Sequence, residues 1–333
     1  MMKCDAVFEG GGVKGIGLVG ALAETERRGY RFENVAGTSA GAIVASLVAA
    51  GHDAARLTDV MRSVDYRRFL DRSFVDRIPL LGSALSLGFE KGIYEGAYFE
   101  GWLRELLSEK GIRKFGDLYM PGNADSPHCR HKLQVIAADL SRGRMLVLPH
   151  DAHEYGIDPN ELEVARAVRM SMSIPFFFEP VELVAANGQR SLIVDGGVLS
   201  NFPVWLFDSG GAEPPWPTFG YKLVSPRKTR RDIRGPFSLF AALFSTMLEA
   251  HDERYIKDAD FVRTISIPTL DVSTTDFDLS GERRDALYAS GVNAARDFFA
   301  TWDFETYKRE FRKPDPEPPR GARLRSAGPR SRA

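Results

Sequence analysis

The sequence reads as an α/β protein, three layers deep (α/β/α), with a mainly parallel central sheet. Three observations predict this. Strand-like and helix-like runs alternate along most of the 333 residues, the pattern of a parallel sheet covered on both faces. Two junctions, at 10–15 and 37–41, are glycine-rich turns that lead from a short strand directly into a helix. The composition, 44% apolar and 27% charged, is that of a globular chain able to bury a sizeable core.

The elements follow in order. Cys4–Glu9 is a β-rich run that stops at Gly10, Gly11 and Gly12. Residues 16–28 read as a helix with Leu18, Ala21 and Leu22 on one face, ended by Arg27, Arg28 and Gly29. Asn34–Ala36 is a short strand, and 41–50 is a helix apolar all round and therefore buried. Residues 97–110 form an amphipathic helix. Strands are expected at Leu133–Ala138, Met145–Leu148, Ser191–Val194, Phe219–Val224 and Phe261–Ile267, and helices at 237–254 and 281–300. Residues 71–96 and 121–131, rich in turn formers, are expected to be irregular. No internal repeat is present. The expected organisation is a core at 5–208, a continuation of the same α/β domain at 209–311, and a disordered tail at 312–333.

Charge and cysteine content narrow the function. The net charge is −1, which argues against nucleic acid as a partner. Cys4 and Cys129 are too few for a disulfide framework, so a reducing, cytoplasmic setting is expected. Asp5 and Glu9 interrupt the first apolar run, unlike a signal peptide. The richest apolar stretch, Pro236–Leu248, is short of the roughly 20 residues that span a bilayer. The tail holds seven Arg or Lys against two acids, and such a basic arm either stays solvated or touches anionic lipid.

Gly10-Gly11-Gly12-Val13-Lys14-Gly15 satisfies G-x-G-x-x-G between strand and helix. Three glycines let backbone N–H groups converge on one spot, and the helix start adds partial positive charge. The loop is therefore suited to an anion: a nucleotide phosphate, as in dinucleotide-binding folds, or an oxyanion that develops during a reaction. Glu33 lies near the spacing of a ribose-binding acid but before the second strand rather than at its end.

Gly37-Thr38-Ser39-Ala40-Gly41 matches G-x-S-x-G, again between strand and helix. Small residues on both sides permit a sharp turn that presents Ser39 at the helix start. A serine hydroxyl needs a base to become a nucleophile. Ser39, Asp195 and His251 stand in the chain order of an α/β-hydrolase triad, but only two short strands precede Ser39, and His251 lies among charged residues of a helical run. Asp195 is the second candidate. It ends the apolar run Ser191–Val194 and precedes Gly196 and Gly197, at a strand's carboxyl end, where open α/β sheets place their sites. His128-Cys129-Arg130-His131 has loosely metal-like composition but no companion cluster.

Together the three motifs resemble the patatin-like phospholipase family: a G-G-G-x-[KR]-G loop, a G-x-S-x-G elbow some 25 residues later, and a distant D-G-[AG] turn. Arg169–Pro175 with Phe178-Glu179-Pro180 resembles the family's segment before the aspartate strand. There Met170 and Ser173 stand where alanines are usual. Asn201 and Pro203 fit the N-x-P that often follows the turn. The resemblance covers residues 5–208. It implies a lipid acyl hydrolase with a Ser39–Asp195 dyad, no histidine, no metal and no cofactor. It also implies an oxyanion hole in the glycine loop, at the N–H groups of Gly11 and Gly12. Lys14 fills the [KR] slot, with a structural role or an attraction for the phosphate head group expected.

An acyl lipid as substrate requires access to a membrane surface. Ile78–Phe89 is apolar and glycine-containing, suited to a lid. Phe237–Phe244 follows Arg227, Lys228, Arg230, Arg231 and Arg234, a composition suited to a peripheral membrane interface.

Overall fold

The computed structural model describes residues 1–64, 96–123, 128–208, 213–225 and 258–312, except positions 176, 186, 275 and 277, together with isolated positions between 233 and 247. The expected lid at 78–89, the basic residues 227–234 named above, His251 and the tail from 313 onward lie outside the described residues.

The chain opens with β1 (Met2–Phe8), α1 (Gly15–Arg27), β2 (Tyr30–Thr38), α2 (Ala40–Ala50), α3 (Ala54–Ser63) and α4 (Ala97–Ser108). It continues with β3 (Leu133–Asp139), β4 (Arg144–Leu148), α5 (Val164–Ser171), β5 (Val181–Val184) and β6 (Arg190–Asp195). Last come β7 (Thr218–Val224), α6 (Asp258–Val262), β8 (Thr264–Pro268), α7 (Gly281–Thr301) and α8 (Phe304–Phe311). The sheet order is β5-β6-β3-β2-β1-β7-β8, with β4 paired to β3. The run from β3 to β8 is parallel throughout, while β4 and β6 run antiparallel to β3. The mainly parallel α/β architecture is thus as expected.

Alternation along the strands divides the interior into separate cores. Ala6, Phe8, Val35, Val135, Phe219 and Tyr221 join apolar side chains of α1–α5 and α7 in the larger one. Val7, Ala36 and Ile136 belong to a second, closed by Phe202, Val204 and Leu206 of the segment after the Asp195 turn. Helices α1 and α7 pack backbone to backbone: a Cβ on Gly291 would lie 2.0 Å from the Gly17 carbonyl oxygen.

Strand β3 organises the site. Along one edge it carries β4, paired from Val135 to Asp139. The other edge is shared. Parallel β2 occupies Leu133–Ile136, and antiparallel β6 occupies Ala137–Asp139. The carboxyl ends of β2 and β6 therefore meet head to head, with Thr38 opposite Ile136 and Asp195 opposite Ala137.

The register of β1 against β2 shifts between Cys4–Phe32 and Ala6–Val35. The extra residue is held by Asp5, whose Oδ1 accepts the backbone N–H of Asn34 (3.0 Å) and its Nδ2 (2.7 Å). Asp5 is buried, and burial pushes its carboxyl up to about 6, against the hydrogen bonds from Asn34 and Trp216. This bulge sets how far the glycine loop after β1 projects beside the serine turn after β2.

Two expectations are corrected. The single strand over Phe261–Ile267 is a short helix, α6, followed by β8. Arg263, fully buried, bonds Asp260 one helical turn earlier and Asp208 from another segment, and helical geometry supplies that first spacing. The strand read as Asn34–Ala36 extends back to Tyr30 through the bulge. Neither Cys4 nor Cys129 forms a disulfide among the described residues.

Asn34→Ala would leave the Asp5 carboxylate buried with fewer donors. It should lower stability by about 1–3 kcal/mol. The loss should be larger at pH 8, where Asp5 is ionised, than at pH 4, and urea unfolding at the two pH values measures it.

Candidate active site

Ser39 caps α2 with φ 54° and ψ −125°, a conformation that costs a non-glycine residue on the order of 1–3 kcal/mol. Close packing enforces it. A Cβ on Gly37 would sit 2.2 Å from the Gly41 carbonyl oxygen, and one on Gly41 would sit 2.2 Å from the Phe8 carbonyl oxygen. Both glycines of the motif are therefore steric requirements of the elbow. Behind it, the Ser39 N–H donates to Ser171 Oγ (2.8 Å), and Ser171 Oγ donates to the Ile136 carbonyl (2.5 Å). The Ser39 hydroxyl itself contacts Met172 Sδ at 3.6 Å.

Asp195 ends β6 and is fully buried. Its N–H donates to the Ser173 carbonyl (2.9 Å), and its Oδ1 accepts the Gly197 N–H (2.8 Å). Its Oδ2 is buried without a hydrogen-bond partner among the described residues. Burial pushes the carboxyl up to about 7, while the Ser39 hydroxyl and the Gly197 amide pull it down. This is a carboxyl with one oxygen anchored on the Gly197 N–H, within reach of the Ser39 hydroxyl, and with a proton affinity suited to neutral pH. Gly196 lies flat against the Ile136 carbonyl, where a Cβ would come within 2.5 Å.

The glycine loop lies alongside. The Cβ position of Gly10 is 3.1 Å from Ser39 Cβ. Gly11 packs on Leu223, and Gly12 (φ 57°) on the Thr274 carbonyl. The Gly10 N–H donates to the Asn201 carbonyl, Val13 to Thr274, and Lys14 to Gly11. No backbone carbonyl among the described residues takes the N–H groups of Gly11 and Gly12. Lys14 is buried at the start of α1, and Gly15 packs toward Met61 and Ala40.

The structure therefore brings Ser39, Asp195 and the Gly10–Gly12 backbone into one site. The described histidines have other settings. His52 Nε2 meets the Leu106 carbonyl, His131 Nε2 meets Asn160, and His128, His150 and His153 stack edge to face. Among the described residues no group of three or more His, Cys, Asp or Glu is placed to hold a metal. Two cavities, of about 300 Å³ beside His52 and about 120 Å³ beside Trp302, include no residue of the three motifs.

Sequence reasoning marked the segment 169–175 but assigned it no work. Its residues contact both halves of the pair: Ser171 and Met172 touch Ser39, and the Ser173 carbonyl holds Asp195. Buried Arg169 steadies the segment by donating to Ser173 Oγ and to the Glu179 carbonyl. The only advance signal was the clustering of small hydroxyl residues before a proline.

A strained serine at a strand-to-helix elbow thus stands beside a strand-end aspartate. Residues 6–208 match the patatin-like phospholipase family, and the chain belongs to it. That is a family of lipid acyl hydrolases. The chain is similar to Uncharacterized protein YqhO of Bacillus subtilis, 43% identical, with 91% of this chain and all of the relative covered. It is 27% identical to the cUMP-AMP-activated phospholipase of Escherichia coli, covering 68% of this chain and 61% of that one. Among solved structures, VipD from Legionella pneumophila shares the fold, with a TM-score of 0.55, 18% identity, and 90% and 67% of the two chains covered. The family match does not favour a dinucleotide site at the glycine loop. No helix among the described residues is long and apolar enough to cross a membrane.

Asp195 also leaves a mark on stability. Its folded pKa of about 7 exceeds the ordinary 3.8, so ionising the buried group costs nothing below about pH 4, and the cost grows as pH rises to about 7 and then levels off. Asp195→Asn should therefore raise the thermal midpoint at pH 8 and leave it nearly unchanged at pH 4.

Proposed function

We propose that the protein is a serine lipid acyl hydrolase, of phospholipase A, lysophospholipase or esterase type, that works through a Ser39–Asp195 dyad. The observation that carries this reading is the unpartnered Asp195 Oδ2, buried beside Ser39 in a strained elbow. Ser39 Oγ attacks the ester carbonyl carbon as its proton passes to Asp195 Oδ2. The carbonyl oxygen becomes an oxyanion, held by the free N–H groups of Gly11 and Gly12 and by the positive end of α2. Collapse expels the alcohol, which takes the proton back from Asp195. Water then attacks the acyl-enzyme as Asp195 takes its proton, and Asp195 passes that proton to Ser39 Oγ as the Oγ–acyl bond breaks and the fatty acid leaves. The anchored Oδ1 and buried setting keep the base oriented and raise its basicity far above that of a free aspartate.

A fluorophosphonate should label Ser39, and Ser39→Ala should abolish both labelling and turnover. Asp195→Asn should lower kcat by about 10²–10⁴-fold. In the wild type, kcat/KM should rise with pH through a midpoint near 7, as Asp195 loses its proton in the free enzyme. Substantial turnover in Asp195→Asn, or dependence on His251, would overturn the dyad.

The lipid reaches this site from a membrane surface. Leu239, Leu243 and Met247, spaced by four, are exposed apolar residues, and five basic residues between Arg227 and Arg234 precede them in sequence. This composition supports docking on anionic lipid. Charge reversal of those five residues should abolish sedimentation with phosphatidylglycerol vesicles and leave hydrolysis of a soluble ester intact. Unchanged sedimentation would remove this segment from membrane binding.

A further inference from the structure

The glycine loop is held from one side by a single side chain. Asn201 Nδ2 donates to the Gly10 carbonyl (3.3 Å), and the Gly10 N–H donates to the Asn201 carbonyl (3.4 Å). The Gly10 carbonyl and the Gly11 N–H belong to the same peptide plane, and in a trans peptide they point in opposite directions. Fixing that carbonyl on Asn201 therefore fixes the Gly11 N–H on the far side of the plane. Glycine on both sides of this peptide leaves little steric resistance to a flip, so the restraint has to come from outside the loop. A hydrogen bond at the carbonyl also polarises the N–H of the same peptide.

A second group decides which way the Asn201 amide points. Buried Glu9 accepts from Asn201 Nδ2 (3.3 Å) and from the Leu223 N–H, with Lys222 Nζ 3.8 Å away. A carboxylate there attracts the amide nitrogen and repels its oxygen. Asn201 Oδ1 is accordingly turned the other way, buried without a hydrogen-bond partner among the described residues and packed on Gly10, where a Cβ would lie 2.3 Å from it. Leaving an amide oxygen unsatisfied is costly, and the orientation of the nitrogen offsets that cost. The neighbouring Ser200 carbonyl takes Thr38 Oγ1 at 3.3 Å, so the same strut touches the serine elbow.

We infer that Asn201, oriented by Glu9, is the positioning residue of the oxyanion hole: it locks the Gly10–Gly11 peptide so that the Gly11 N–H faces the reacting oxygen. The inference rests on the hydrolase reading above. Asn201→Asp keeps the shape, removes the donor and sets a second carboxylate against Glu9. It should lower kcat on a soluble p-nitrophenyl ester by about 10²-fold, with KM within about two-fold of wild type. Affinity for a trifluoromethyl ketone, whose adduct carries the oxyanion, should fall by the same factor as kcat/KM. Glu9→Gln retains an oxygen for Asn201 Nδ2 and should keep most of the activity, whereas Glu9→Leu should show the losses expected of Asn201→Asp. If Asn201→Asp does not fold, Asn201→Ala, which also removes the donor, is read on the same two scales with the same losses expected. A folded Asn201→Asp or Asn201→Ala variant with wild-type kcat and ketone affinity overturns the inference, as does a loss confined to KM. An inactive, unlabelled wild type instead overturns the hydrolase reading itself.

Discussion

The site depends on one piece of strand geometry. A strand offers two edges, and β3 gives one of them to two partners that approach from opposite directions. Because β2 runs with β3 and β6 runs against it, their carboxyl ends abut rather than overlap. The last residues of both, Thr38 and Asp195, lie opposite consecutive residues of β3. The next residue after Thr38 is Ser39. Hydrogen-bond registry of a rigid sheet thus performs the positioning that chemistry needs within fractions of an ångström. The antiparallel course of β6 on the edge of β3 that parallel β2 also uses is what makes the two carboxyl ends meet.

Around this junction the fold spends stability on strain and on burial. Ser39 occupies a backbone conformation that glycine would hold more easily, and Asp195 is enclosed with one oxygen unsatisfied. Both are sustained because each neighbour is itself anchored. Ser171 is fixed on the Ile136 carbonyl, Ser173 on Arg169, and the elbow glycines on the backbone of β1 and α2. The large core beneath supplies the rigidity that keeps these contacts from relaxing.

Local chemistry made much of this legible in the sequence. The glycine loop, the elbow and the aspartate turn are each short, contiguous and flanked by their own strand, so their type and placement follow from spacing alone. What escaped notice is non-local. The Ser171–Ser39 and Ser173–Asp195 bonds join residues far apart in the chain, and no periodicity marks them. The reversal of β6 leaves no trace in its composition, since Leu192–Val194 would read the same in either direction. Short polar-faced α3 and α5 were overlooked because Arg, Thr and Asp interrupt their apolar spacing. Phe261 and Val262 suggested a strand because of their side chains, but both are exposed, and the Asp260–Arg263 pair governs that turn.

The enclosed carboxyl has a consequence for what leaves the site. The ester group itself arrives uncharged, and its carbonyl meets a serine beside the fully buried Asp195 carboxyl. Hydrolysis by the proposed route turns that neutral guest into a fatty-acid anion formed beside a carboxylate with little water to screen it. Like charges at such range repel, so the product is driven outward as it ionises, and the free acid's affinity for the resting protein falls as pH rises. Directionality is then built into the electrostatics of a single buried aspartate: the site admits esters and rejects soaps.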